Sequence, residues 1–306
     1  DTDTAHTQFY TRTGGSSDTS RMTAAKNAAK NFLKTYSGFD ASVINDDGTL
    51  KQSAKNLSIK RYVAVIRFSN NIDNDTDSSS WWEGEDYKPA WYDVSTVVGY
   101  NKVLTTINQA WAYDGTNLDA GLTTASSLMD ANLVKNLTSK NVIALTDGAP
   151  TYSKGYGDGG STNQDICNET AKTAETLRVK SKVYTVCFAA ESDPLYNGGD
   201  TVGNFLKNRI ATQPAEGTTE QYAYNAKSAE DLIKVFKDIT DTIVSGLNNG
   251  TVKDSLPAGI TSTDFGNATQ FELNDQKQFH KDVKTETVDG KEVTTYTYTK
   301  TYTVNI

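Results

Sequence analysis

Two apolar periodicities alternate along the chain. Between residues 20 and 33, Met22, Ala25, Ala29, Phe32 and Leu33 recur at three- and four-residue intervals behind Asp18 or Ser20 as a cap, which is the spacing of an amphipathic helix. Arg61 to Phe68 is instead a nearly continuous β-branched and aromatic run, and it predicts a strand buried on both faces. A polar stretch, Ser69 to Asp93, follows. Beyond it the alternation is regular: helices over 94–111 and 117–131, a strand at 141–146, a helix over 165–178, a strand at 182–190, a helix over 202–212, a short strand at 221–224 and a long closing helix over 228–245. This order predicts an α/β fold, a doubly wound and mostly parallel sheet with helices on both faces. After Gly246 the texture changes. Thr251 to Ile260 reads as a strand and turn, and Glu286 to Ile306 as a hairpin that turns at Asp289-Gly290 between alternating Thr, Tyr and Val.

A length of 306 residues suits one large domain and part of another, so boundaries of 1–246 and 247–306 are expected. Net charge is −8, and Lys and Arg are scattered without a dense run, which argues against nucleic acid or an anionic membrane as partner. No apolar run approaches the roughly 20 residues that span a bilayer, and no charged-then-apolar leader opens the chain, so a soluble, already trimmed protein is expected. Sixteen Tyr against two Met and two Cys, with long Thr/Ser/Asn/Gly stretches, resemble the composition of secreted surface proteins of Gram-positive bacteria. No Ser/His/Asp, Cys/His or zinc constellation is legible with only two His residues, His6 and His280, so an enzyme is not expected.

Ligand sites of open α/β sheets lie outside the carboxyl ends of the strands. Two stretches there carry chemistry: Gly115-Thr116-Asn117-Leu118-Asp119-Ala120-Gly121-Leu122, which opens a helix, and Leu145-Thr146-Asp147-Gly148-Ala149-Pro150, which leaves a strand. Both resemble the von Willebrand factor A (VWA) family. The Arg21-Met22 helix, the Val183 to Phe188 strand and the Tyr224 to Leu232 lead into the last helix fall in family order, so the resemblance spans about residues 20 to 246. Within the family the chain is most similar to tip adhesins of Gram-positive pili, because an acidic, Trp-rich arm at 69–93 enlarges a loop and a β-rich segment follows.

The resemblance implies a metal-ion-dependent adhesion site with Thr116 supplying a hydroxyl and Asp147 a carboxylate. Oxygen donors of this kind suit Mg²⁺, or another divalent cation such as Mn²⁺ or Ca²⁺. With few protein anions the ion stays electrophilic and can accept a carboxylate from a partner. Taken singly, Thr116 reads as a helix cap and Asp147 as the start of a turn before Gly148. The family's third element, an Asp-x-Ser-x-Ser loop after a first central strand, has no match here, and that strand and loop are expected upstream of Asp1.

Cys167 in the first turn of a helix and Cys187 near the end of a strand are both placed at one end of the domain, so a disulfide is expected, contributing roughly 3 kcal/mol. The arm brings Trp81, Trp82 and Trp91 beside acids that include Asp73, Asp75 and Asp77; its aromatics read either as binding anchors or as a small satellite core. The Asp73-x-Asp75-x-Asp77 spacing is calcium-like but lacks the Gly and Glu of an EF-hand. Residues 247–306 resemble part of an Ig-like surface-adhesin β-sandwich, in which Lys253 beside Asp254 is a faint isopeptide candidate. The function these features imply is an extracellular adhesin module at the cell wall or pilus of a Gram-positive bacterium, binding a host matrix or cell-surface protein and contacting pilus backbone subunits. The alternative is a structural surface protein whose VWA domain is a scaffold without a working metal site.

Overall fold

A computed structural model describes residues 21–69, 88–110, 115–137, 139–154, 156–196, 199–245, 270–272, 277–288 and 291–302. The chain divides into two compact units, Asp1–Thr240 and Asp241–Ile306.

The first unit is built around a parallel sheet. Strands β3 (Asn141–Thr146), β4 (Lys182–Phe188) and β5 (Ala223–Ala226) pair side by side, with Thr146 opposite Cys187 and Cys187 opposite Asn225. β4 is central and buried from Val183 to Phe188, as expected of a strand covered on both faces. Helices α1 (Arg21–Ser37), α2 (Val97–Gln109), α3 (Leu118–Met129), α4 (Gln164–Arg178) and α5 (Val202–Phe205) accompany it, α5 running on into a π-turn over Leu206–Ile210. The long helix α6 (Ala229–Ser245) then buries Leu232 and Ile239. The predicted alternation of strand and helix is thus present as a mixed α/β unit.

Helix starts follow local capping. Thr96 accepts from Gly99 N–H, Asn117 from Ala120, Asn163 from Ile166 and Thr201 from Asn204, each satisfying a donor the helix leaves unpaired. Capping by Thr96 moves α2 three residues past the predicted start and leaves Val94, which is fully buried, in the turn before it.

Two core clusters stand out among the described residues. One gathers Leu118 and Leu122 of α3, Cys167 and Leu177 of α4, Val183 and Cys187 of β4 and Phe205. The other joins Leu33 of α1 to Phe39, Tyr100, Val103 and Ile107. The run predicted as a strand over 61–68 lies between them. Val63 and Val65 pack against the second cluster, while Ile66 and Phe68 pack against the first, so successive residues face opposite cores. The run faces both clusters, but its residues from Tyr62 to Ser69 are half-buried and the predicted strand does not extend. Tyr62–Val63 (β1) pairs antiparallel with Tyr92–Asp93 (β2), and residues 64–67 are half-buried and irregular.

In the second unit, β6 (Gln270–Glu272), β7 (Lys277–Val288) and β8 (Lys291–Tyr302) make an antiparallel sheet in that order. The β7–β8 register runs from Val288 opposite Lys291 to Lys277 opposite Tyr302, the register expected of a two-residue hairpin connection, while Asp289-Gly290 lies outside the described residues. Thr251 to Ile260, with the Lys253–Asp254 pair, lies outside the described residues. No helix among the described residues is long and apolar enough to cross a membrane.

Candidate functional site

Thr116 and Asp147 stand at the carboxyl edge of the parallel sheet, where their loops are bonded to each other. Asp147 directly follows the last residue of β3 and Thr116 immediately precedes the cap of α3. The Thr116 carbonyl accepts from Thr151 N–H at 2.8 Å and Tyr152 N–H at 3.3 Å, and Thr116 N–H donates to the Thr151 hydroxyl at 2.7 Å. Thr151 lies four residues beyond Asp147, so this three-bond clasp ties the Thr116 loop to the segment that follows Asp147. Gly115 is required at the seam, since a Cβ there would lie within 3 Å of Thr151, Tyr152 and Gly159. Asn117 completes the loop by donating its N–H to the Ser69 carbonyl at 2.6 Å.

Behind the clasp sits a group the sequence did not reveal. Asp119, in the first turn of α3, is 2% exposed, and its carboxylate accepts the Ser153 hydroxyl at 2.8 Å and the hydroxyl of Thr173. It therefore ties α3 to α4 and to the loop that holds Thr116. In sequence an acid in a first helical turn reads as a solvated complement to the helix dipole, and nothing local announces partners 34 and 54 residues away.

The Asp147 carboxylate has a cationic neighbour. Arg21, the first residue of α1, places Nη1 at 3.5 Å from Asp147 Oδ2 and 3.4 Å from the Asp147 carbonyl oxygen. The loop's donors match a hard cation in kind, as both are oxygen and the carboxylate side chain is 39% exposed. Among the described residues no three His, Cys, Asp or Glu gather as a metal-holding group. Water and partner oxygens would have to complete a six-oxygen shell.

The expected disulfide is a correction. Cys167 and Cys187 are both free and buried in the same apolar cluster. Cys167 Sγ lies 3.4 Å from the Thr162 hydroxyl, and each thiol fills core volume as a small apolar group. Residence at one end of a domain is not enough for a bridge, which also needs Cα atoms within about 7 Å and converging Cβ directions. Burial pushes the Cys187 thiol up to about 11, with the negative charges of Glu191, Asp193 and Asp147 adding to the effect, and burial also raises Cys167.

Of the arm's aromatics, Trp81 and Trp82 lie outside the described residues, as do Asp73, Asp75 and Asp77. Trp91 is half-buried, packs against the first core cluster and donates its indole N–H to the Leu128 carbonyl at 2.9 Å. Trp91 thus packs onto the main core of the first unit, not into a satellite of its own.

No family model matches the chain, and no curated protein matches it. Its fold is similar to that of a solved pilus adhesin, SpaC from Lactobacillus rhamnosus GG. One crystal form aligns with a TM-score of 0.52 at 14% identity, covering 94% of this chain and 35% of the adhesin. The open conformation of the same adhesin aligns with a TM-score of 0.51 at 13% identity, covering 93% and 35% respectively. The chain spans about a third of the length of that protein.

Proposed function

We propose that this chain is the ligand-binding part of an extracellular pilus or cell-surface adhesin, with a VWA-type first unit and part of a β-sandwich as the second. The observation that carries the reading is the clasp that fixes Thr116 beside the Asp147 loop at the carboxyl edge of a parallel sheet. The fold shared with a pilus adhesin supports the same setting. Thr116 and Asp147 would hold a divalent cation, Mg²⁺ foremost, with Mn²⁺ and Ca²⁺ as the other candidates. A bound cation would supply a Lewis-acidic position for a carboxylate of a host matrix or cell-surface protein. The chain's own residues set the geometry: Thr151 pins Thr116, Asp119 anchors the loop through Ser153, and Gly115 permits the close approach. The role assigned is binding, not catalysis, with pilus backbone subunits as further partners.

A second reading is a structural surface protein whose first unit only scaffolds. The pairing of Arg21 with Asp147, which already sets a positive group against that carboxylate, favours it. Binding of the chain to immobilised matrix proteins, measured in Mg²⁺ and in chelator, separates the two. The adhesin reading expects binding that falls at least tenfold in chelator and in Asp147→Ala. Binding that is equal in all three conditions would leave the scaffold reading standing.

A further inference from the structure

The contact between Arg21 and Asp147 has the geometry of a stand-in. A single guanidinium nitrogen, Nη1, reaches both the Asp147 carboxylate and the Asp147 carbonyl, at 3.5 and 3.4 Å. These are the two kinds of oxygen that a hard cation takes from a loop. The Arg21 side chain is only 17% exposed against 39% for Asp147, so the positive group comes from the protein side of the pair. It is also delivered by a framework element. Arg21 opens a 17-residue helix whose Ala24, Ala28 and Leu33 are buried, and α1 packs along α2. Distances near 3.5 Å make this a loose ion pair, without the bidentate fit that gives Arg–carboxylate pairs their strength, so it is displaceable.

We infer that Arg21 is a built-in counter-ion for Asp147, which competes with a divalent cation for that carboxylate and links cation binding to the amino-terminal turn of α1. The inference rests on the cation reading of Asp147 given above. Two positive groups at one carboxylate repel each other, so a cation that binds Asp147 weakens the guanidinium contact. By reciprocity, whatever holds Arg21 against Asp147 weakens the cation by the same factor. The contact tunes affinity: it lets the site sit neutralised when cation is scarce and open when cation is abundant.

The experiment is a calorimetric titration of the full chain with MgCl₂ at about 0.15 M ionic strength, where fields from more distant charges are largely screened. Arg21→Ala is compared with wild type and with Lys30→Ala, which removes the same charge further along the same helix. A loose, partly exposed ion pair of this kind corresponds to about a two- to fivefold factor. Arg21→Ala is expected to bind Mg²⁺ tighter by that factor, and Lys30→Ala to bind as wild type does. In wild type the Arg21 Nε–Hε NMR signal is expected to shift along the same Mg²⁺ isotherm as the heat. Tighter binding in Arg21→Ala with a moving Arg21 signal supports the inference. Equal or weaker binding in Arg21→Ala, or tightening matched by Lys30→Ala, or an Arg21 signal that ignores Mg²⁺, overturns it while leaving the cation reading in place. Absence of Mg²⁺ binding in wild type and Arg21→Ala alike overturns both.

Discussion

Removal of the Asp119 carboxylate probes the anchor behind the Thr116 loop. Asp119→Ala deletes two hydrogen bonds to a charged acceptor and leaves the Ser153 and Thr173 hydroxyls buried; both residues are under 10% exposed. Bonds to charged groups contribute about 1.5–3 kcal/mol each, and part of that sum is returned because a buried carboxylate no longer has to be desolvated. A net loss of about 2–4 kcal/mol follows. For a domain of 150–250 residues each kcal/mol moves Tm by roughly 2–4 °C, so the expected shift is roughly 4–16 °C. Urea unfolding followed by circular dichroism should show a lower midpoint at unchanged slope. Ser153→Ala, which leaves the Thr173 bond, should lose about 1–2 kcal/mol, and the double variant should fall short of additivity because both changes act on one network. An Asp119→Ala midpoint within about 0.5 kcal/mol of wild type would refute the anchor, since such a value is typical of a surface change.

Alkali should weaken the first unit. Folding raises the Cys187 thiol to about 11 and the Tyr100 and Tyr184 hydroxyls to about 12, each mainly through burial. The folded state therefore binds these protons more tightly than the unfolded chain, so their contribution is complete below about pH 9 and declines as pH rises towards 11 and 12; stability that stays flat from pH 8.5 to 11.5 would contradict the burial described. Both thiols should resist a thiol reagent at pH 8 in the folded protein and react in denaturant, and the intact mass should be that of two free thiols. Gly157, at φ +95, faces the Thr151 carbonyl, and Gly157→Ala should destabilise by about 2–3 kcal/mol and disturb the clasp; a neutral result in thermal unfolding would show that the loop relaxes freely.

What was legible in the sequence depended on whether the determinant was local. β3 ends where its apolar run ends, because a strand's burial pattern is written in its own residues. The closing helix and the hairpin about 289–290 were legible for the same reason. Strand β5 lies two residues later than its pattern predicts, because its position is set by parallel pairing of Ala223 to Ala226 with Thr185 to Phe188. The 61–68 run shows the limit: two buried faces can be read from β-branched residues, whereas ladder formation is a property of neighbours. At the candidate site, the loops carrying Thr116 and Asp147 stand out as short motifs, but the groups that pack against those loops do not. Asp119 resembles an ordinary first-turn acid, and Arg21 an ordinary solvated helix residue 126 positions from its partner. The disulfide expectation failed on the same ground, since direction and distance between two buried sulfurs are tertiary facts.

The central claim is that Thr116 and Asp147 together hold a divalent cation, and calorimetric titration of the folded chain with MgCl₂ beside Thr116→Val and Asp147→Ala tests it most directly. A single saturable site is expected in the wild-type chain, weakened about tenfold or more by either substitution while both variants keep the wild-type circular dichroism spectrum. Saturable binding of equal strength in all three proteins, or no binding in the wild-type chain, would contradict it.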